Sequence, residues 1–347
     1  MYSISQLPLK TQIIIHINYR DIFNSPVHID ELMVWLDLKN VKRRKEFYAA
    51  IEELEKEKLI LTEKDYIALA NKKEIIQERI EKKKLNAQII KSSGPYIRLF
   101  SKIPFLKYIG ISGSVAADNP TIDKEGIKKG KVDLDLFLII ASDSLWITYF
   151  IIKIINSFIT ILKLKKHYLC FNYAMDETYL EIHNKNFFTA TELVNLKSIY
   201  NDLKPTLINN NLWIKRYYPG MKNEPRISRV RKTLFIVKWL NFISFSIFQF
   251  LRIFKRRNFH PILEIRKDFN IGQRHNLRRV CQPNGGYQEL IKEKFTNSYQ
   301  MNFREYFDKE IIEFLFSKES FAIAITKSEV YYKDEVFSKF KRYARAE

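Results

Sequence analysis

Cysteine is scarce, with Cys170 and Cys281 the only two in 347 residues. Two thiols so far apart form neither a disulfide framework nor a thiol pair at metal-binding spacing. That usage suits a reducing compartment, and the expected location is cytoplasmic. Histidine offers no ligand pattern either: His16, His28, His167, His183, His260 and His275 contain no HxH or HxxxH spacing. Each reads as structural or exposed. Internal repeats and low-complexity tracts are missing, which excludes solenoid and fibrous architectures. The polar N-terminus has no apolar core with a cleavage site, so no signal peptide is expected. Acidic residues are in deficit, 39 against 59 Lys and Arg, for a net charge of +20. Such a balance favours polyanionic partners, whether nucleic acid, nucleotides or an anionic membrane surface. The lysine- and isoleucine-rich usage of an AT-rich genome would also produce it.

What is present begins with ordinary globular composition, 46% hydrophobic and 28% charged, in a chain long enough for two or three cored domains. The most informative stretch runs from Tyr108 to Ile140. An apolar run, Tyr108–Ile111, ends in Ser112-Gly113-Ser114, and a second, Val132–Ile140, carries Asp133 and Asp135. In a strand these two carboxylates share one face while Leu134 and Leu136 take the other. Side by side they repel unless a cation sits between them, and magnesium takes carboxylate oxygens while keeping positions for substrate phosphates. The Gly113-Ser114 turn is the complementary part, since glycine permits close backbone approach and free N–H groups hold phosphate oxygens.

Gly113-Ser114 followed by Asp133-Leu134-Asp135 resembles the signature of the nucleotidyltransferase superfamily, whose fold polymerase β shares. The whole chain also resembles bacterial nucleotidyltransferase-domain proteins that carry a winged-helix-like segment in front. The resemblance covers about residues 105–180 and weakens toward 220. It implies that Asp133 and Asp135 hold Mg²⁺, that Gly113 and Ser114 bind the β- and γ-phosphates of an NTP, and that an NMP passes to an acceptor hydroxyl. Two departures accompany it. The segment between Ser114 and Asp133 is long and charged, reading as an extra exposed loop. The third carboxylate of the family has no clear counterpart: the strand expected at Tyr168–Ala174 offers Asn172, and the apolar stretch Tyr179–Ile182, expected as a further strand, offers Glu181. Asparagine can lend an oxygen to a metal but cannot act as a base.

In front of this core, helical patterns at Leu9–Asn18, Asp30–Leu36 and Lys42–Lys58 precede a hairpin turning at Lys64-Asp65. That order is winged-helix-like. Lys42-Arg43-Arg44-Lys45 opens the third helix and could meet phosphates, although Glu46, Glu52, Glu53, Glu55 and Glu57 follow. A connecting helix is expected over Asn71–Lys91, interrupted at Gly94-Pro95. Beyond the Asp-x-Asp strand, Leu145–Leu162 is almost wholly apolar and is expected to pack on the sheet rather than span a membrane. Thr189–Tyr200 and Thr206–Tyr217 look helical, with Thr189 or Thr191 as N-cap. Leu234–Phe254 carries Lys238, Asn241, Gln249 and Arg252 within about 80° of one another, which predicts a mostly buried helix with one polar edge toward water or the cleft. Its basic flanks leave membrane-surface contact open. Helices at Tyr287–Phe295 and Phe303–Phe316 and a short strand at Phe321–Thr326 complete the reading.

The expected fold is α+β: a winged-helix-like domain (1–70), a connecting helix (71–103), a polymerase β-like core with a mixed sheet (104–185) and a mainly helical C-terminal region (186–347). The expected function is magnesium-dependent nucleotidyl transfer through Asp133 and Asp135, with Asn172 or Glu181 as third group. The alternative is a catalytically inactive relative that binds nucleic acid or protein. The implied partners are an NTP and an acceptor, with nucleic acid or an anionic surface on the basic patches and no integral membrane span.

Overall fold

A computed structural model describes residues 3–120, 132–162, 164, 167–182, 184–222, 233–258, 279–281, 285–306 and 309–316, without the side chains of 172, 248–258, 279–281 and 285–289. The expected loop beyond residue 120 and the strand at Phe321–Thr326 lie outside these residues. The chain is α+β, with a mixed sheet.

The N-terminal unit contains α1 (Leu9–Asp21), β1 (Val27–His28), α2 (Ile29–Trp35), α3 (Val41–Lys56), β2 (Ile60–Glu63) and β3 (Tyr66–Leu69). Its strands pair antiparallel in the order β1-β3-β2. Asn40 starts α3 by accepting from the Lys42 N–H at 2.8 Å, satisfying one of the donors that a helix start leaves open. The hairpin turns through Lys64 and Asp65, both at positive φ, the geometry that matches the twist of paired strands. Next, α4 (Glu74–Ser101) runs unbroken through Pro95. The expected interruption there does not occur, because Ile89, Ile97 and Phe100 are anchored in a core on either side of the proline. Proline's local cost is overridden by packing.

The central sheet has five strands in the order β7-β4-β5-β6-β8. They are β4 (Leu106–Ser112), β5 (Asp133–Ile140), β6 (Tyr168–Asp176), β7 (Lys197–Tyr200) and β8 (Arg279–Cys281). The pair β5/β6 is parallel and the other pairs are antiparallel. A short helix, α5 (Gly113–Ala116), follows β4, and α6 (Leu145–Ile161) crosses between the parallel strands. Alternation sorts β5 cleanly. Leu134, Leu136, Leu138 and Ile140 join α4 and α6 in one core, while Phe137 and Ile139 face the other. That second core is continuous with the N-terminal unit, taking in Ile13, Phe47 and Ile67 together with residues of the C-terminal helices.

Several local expectations change. Tyr179–Ile182 is not a strand: the chain turns after β6, with Asp176 Oδ1 accepting from the backbone and hydroxyl of Thr178. Residues 189–200 divide into α7 (Phe187–Asn195) and β7, and the cap is Asn186, which accepts from Thr189 N–H at 2.9 Å. Residues 206–217 hold α8 (Lys204–Asn209) and a 3₁₀ turn, Leu212–Arg216. The helix α9 (Phe235–Asn258) forms where apolar sequence demanded one, but it is not mostly buried. Helices α10 (Gly285–Asn302) and α11 (Lys309–Leu315) close the described chain.

Candidate functional site

The apolar residues of β5 place the acids. Because Leu134 and Leu136 are fixed in the core beneath α4 and α6, Asp133 and Asp135 emerge on the opposite face at the start of the strand. Antiparallel pairing with β4 sets Ser112 opposite Asp135, so the Gly113-Ser114 turn begins beside the carboxylates. Gly113 has φ +67°, in the left-handed region, and a Cβ there would collide with the Asp135 carboxylate. Glycine is required at this position on both counts. Ser114 follows as the second residue of α5 and is partly buried.

Parallel pairing brings β6 in with Asp133 opposite Tyr168 and Asp135 opposite Cys170. The ligand atoms of Asp133, Asp135 and Cys170 lie within 4.8 Å of one another. Burial first, and then the charges of Asp133 and Asp135, push the Cys170 thiol up to about 12, so at neutral pH it is a thiol beside two carboxylates. Asp133, although its side chain reaches the surface, has its carboxyl raised by desolvation.

Asn172 lies on β6 as expected, but two residues past Cys170. Leu136 pairs with Phe171 and Phe137 with Tyr173, which leaves Asn172 as the extra residue of a bulge. Its side chain lies outside the described residues. The place opposite Asp135 is therefore occupied by Cys170, because the parallel register starts at Tyr168. Glu181 does not join the cluster. It follows the opposite end of β6, where Asp176 pairs with Ile140, and its carboxylate is held by Lys185 at 2.7 Å. From Asp133 to Ile140 the strand advances roughly 23 Å at about 3.3 Å per residue.

A different acid reaches the turn. Glu192, on α7, accepts from the Gly113 N–H at 3.2 Å, and burial raises its carboxyl against the opposing effects of that hydrogen bond and of Arg20. Arg20 in turn donates to the Ala117 carbonyl at 3.2 Å, just past α5. Neither residue stands out in the sequence, since Thr191-Glu192-Leu193 carries no motif and Arg20 ends an ordinary helix. Cys170 could have been found by aligning the starts of β5 and β6.

The site therefore presents two hard carboxylate donors, one neutral soft thiol, and a glycine turn whose N–H is held by a carboxylate. No family model, curated protein or solved structure matches the chain.

Proposed function

We propose that the chain binds a magnesium–nucleoside triphosphate between the Asp133–Asp135 edge and the Gly113-Ser114 turn, and transfers a nucleoside monophosphate to an acceptor hydroxyl. The observation that carries this reading is the register of β4 on β5, which sets Ser112 opposite Asp135 and so puts the turn and both acids at one end of the sheet. The order helix, strand, turn, strand, helix, strand from α4 to β6 supports a polymerase β-like core, and α1–α3 with their hairpin support a winged-helix-like unit before it.

The donor set fits magnesium in part. Two carboxylate oxygens suit a hard cation that retains water and phosphate oxygens, whereas a thiol adds nothing to its shell. Bound there, the ion would neutralise phosphate charge and lower the pKa of an acceptor hydroxyl. The chain's own part is to position. Asp133 and Asp135 anchor from a rigid strand, and Gly113 lets a phosphate oxygen come close to the backbone. A phosphate arriving at the turn competes with Glu192 for the Gly113 N–H.

Cys170 in the place of a third acid favours a second reading, a nucleotide- or nucleic-acid-binding relative without transfer. Lys42 and Arg44, exposed at the start of α3, would serve nucleic acid in either case.

Incubation with Mg²⁺ and each labelled NTP, following pyrophosphate release and label transfer, tests the proposal. Release is expected in wild type, lost by about a hundredfold or more in Asp135→Ala and raised in Cys170→Asp. Magnesium-dependent NTP binding without release, unaltered by Cys170→Asp, would establish the second reading. NTP binding indifferent to Asp135→Ala would remove the transfer reading and the nucleotide-binding form of the second.

A further inference from the structure

The helix α9 turns Asn241 and Ser244 inward. Asn241 is 5% exposed, and its Oδ1 accepts from the N–H groups of Trp146 and Ile147 at 2.6 and 3.2 Å, capping the first turn of α6 from outside. Ser244 is also buried, Phe245 packs edge-on to Trp146, and Lys238 pairs with Asp143 at 3.0 Å. With Asn241 and Ser244 buried and Lys238 paired, the large apolar side chains face away, with exposed Ser246 among them. Phe235 is 83% exposed, Trp239 56% and Phe242 56%. Wound at about 100° per residue, these three fall within about 60°, on the side of the helix opposite Asn241 and Ser244. The neighbouring helix α6 likewise ends in exposed Ile161 and Leu162, immediately before Lys163, Lys165 and Lys166.

A water-facing helix has no reason to direct phenylalanine and tryptophan outward and asparagine inward. An exposed apolar patch of this kind marks a docking surface. The charge of the flanking sequence identifies the partner. Between Glu224 and Glu264 the sequence holds nine Lys and Arg residues and no Asp or Glu. Most of that charge sits at the two ends, leaving Trp239–Leu251 free of charged residues. An apolar face between basic flanks matches an anionic lipid interface, where acyl chains meet the rings and headgroups meet the cations. Nucleic acid would need the cations among the aromatic rings rather than beyond them.

We propose that α9 docks this protein on the surface of anionic membranes. The helix lies in the interface and does not cross: Asn241 and Phe245 fasten it to the sheet domain, and no helix among the described residues is long and apolar enough to span a bilayer. The proposal is independent of nucleotide chemistry at Asp133 and Asp135.

Of the four tryptophans, Trp35 and Trp146 are buried, Trp213 is packed against Tyr217, and Trp239 is the exposed one. The 347-residue chain is mixed with phosphatidylglycerol–phosphatidylcholine vesicles or with phosphatidylcholine vesicles alone, and read by co-sedimentation and tryptophan emission. On the anionic vesicles we expect sedimentation with a blue shift, both weakened by salt. In Trp239→Phe the shift should disappear while sedimentation remains. The combined variant Phe235→Ser, Trp239→Ser, Phe242→Ser alters exposed side chains, so its unfolding midpoint should stay in place while vesicle partition falls by tenfold or more. Absence of sedimentation at low salt would overturn the proposal, as would undiminished partition of the triple variant. A blue shift that follows protein concentration without vesicles would assign the face to a second copy of the chain. A shift produced by duplex DNA and not by vesicles would assign it to nucleic acid; either result rejects the lipid surface.

Discussion

His16 illustrates how one residue can acquire a property that its neighbours in sequence do not suggest. It sits in the middle of α1, 1% exposed, with Trp35, Phe187 and Tyr218 around its ring at centroid distances of 5.0–5.4 Å. Burial lowers its pKa from the ordinary 6.5 to about 3, so the folded protein keeps the imidazole neutral. The folded pKa is depressed, so the unfolded chain takes up a proton between pH 6.5 and 3 that the folded chain refuses. Stability from this group is therefore fully present above about pH 6.5 and is lost as pH falls toward 3, by about 5 kcal/mol at most. Phenylalanine fills a similar aromatic slot and cannot titrate. His16→Phe should retain more of its neutral-pH stability at pH 4 than wild type does, measured by urea unfolding at both pH values. Equal acid losses in the two proteins would assign the acid sensitivity elsewhere.

Among the elements, the dependence of α6 on α9 is the clearest case of one helix completing another. The first turn of α6 has no side-chain cap of its own from Ser144, and two of its N–H groups are satisfied by Asn241, some 95 residues away. An N-cap is worth roughly 1 kcal/mol, and leaving two buried donors without partners costs more. Asn241→Leu preserves volume and removes the acceptor. It should lower stability by about 2 kcal/mol and loosen α9 from the sheet domain, seen as faster amide exchange in the first turn of α6. Protection unchanged at Trp146 and Ile147 would contradict this. The same pairing shows where helical periodicity stopped short for α9. The stripe of Lys238, Asn241, Gln249 and Arg252 reads as an edge toward water or the cleft, yet Asn241 is an internal cap.

At the scale of the whole molecule, a buried arginine hub ties the N-terminal unit to the Gly113 helix. Arg79 on α4 is 3% exposed. It donates to Ser25 Oγ at 2.9 Å, to the Ala117 carbonyl, and to Glu31 at 3.4 Å, and Arg20 shares the Ala117 carbonyl. Burial, then the adjacent Arg20, lowers the Arg79 pKa to about 10, with Glu31 and Asp118 opposing. Removing one partner from such a buried set leaves others without theirs, at a cost of about 3–5 kcal/mol. Arg79→Met should therefore lower the urea midpoint strongly. Because one hydrophobic cluster runs from Ile4 through the sheet to Phe316, unfolding should remain a single transition with an unchanged m value. Two separate transitions in wild type would mean that the first 70 residues form an independent domain.

The amino-acid sequence by itself determined the elements whose period or turn chemistry is self-contained. These are the first three helices, the Lys64-Asp65 hairpin, the two strands around Gly113-Ser114, and the facing of Asp133 and Asp135 away from Leu134 and Leu136. Each depends on side-chain alternation or backbone preference over a few residues, so no distant partner is needed to read it. What only the tertiary structure decided were relations between segments remote in sequence. Register chose Cys170 rather than Asn172 as the neighbour of Asp135, since the parallel pairing starts with Tyr168 opposite Asp133 and the bulge at Asn172 comes only after that pair. Packing carried α4 through Pro95 and brought Glu192 to the Gly113 N–H. Glu181 was left at the far end of the sheet because the chain turns after β6 instead of pairing again. Local pattern tells a residue which way to face, whereas its neighbours across a sheet or between helices follow from the global minimum of burial and hydrogen bonding.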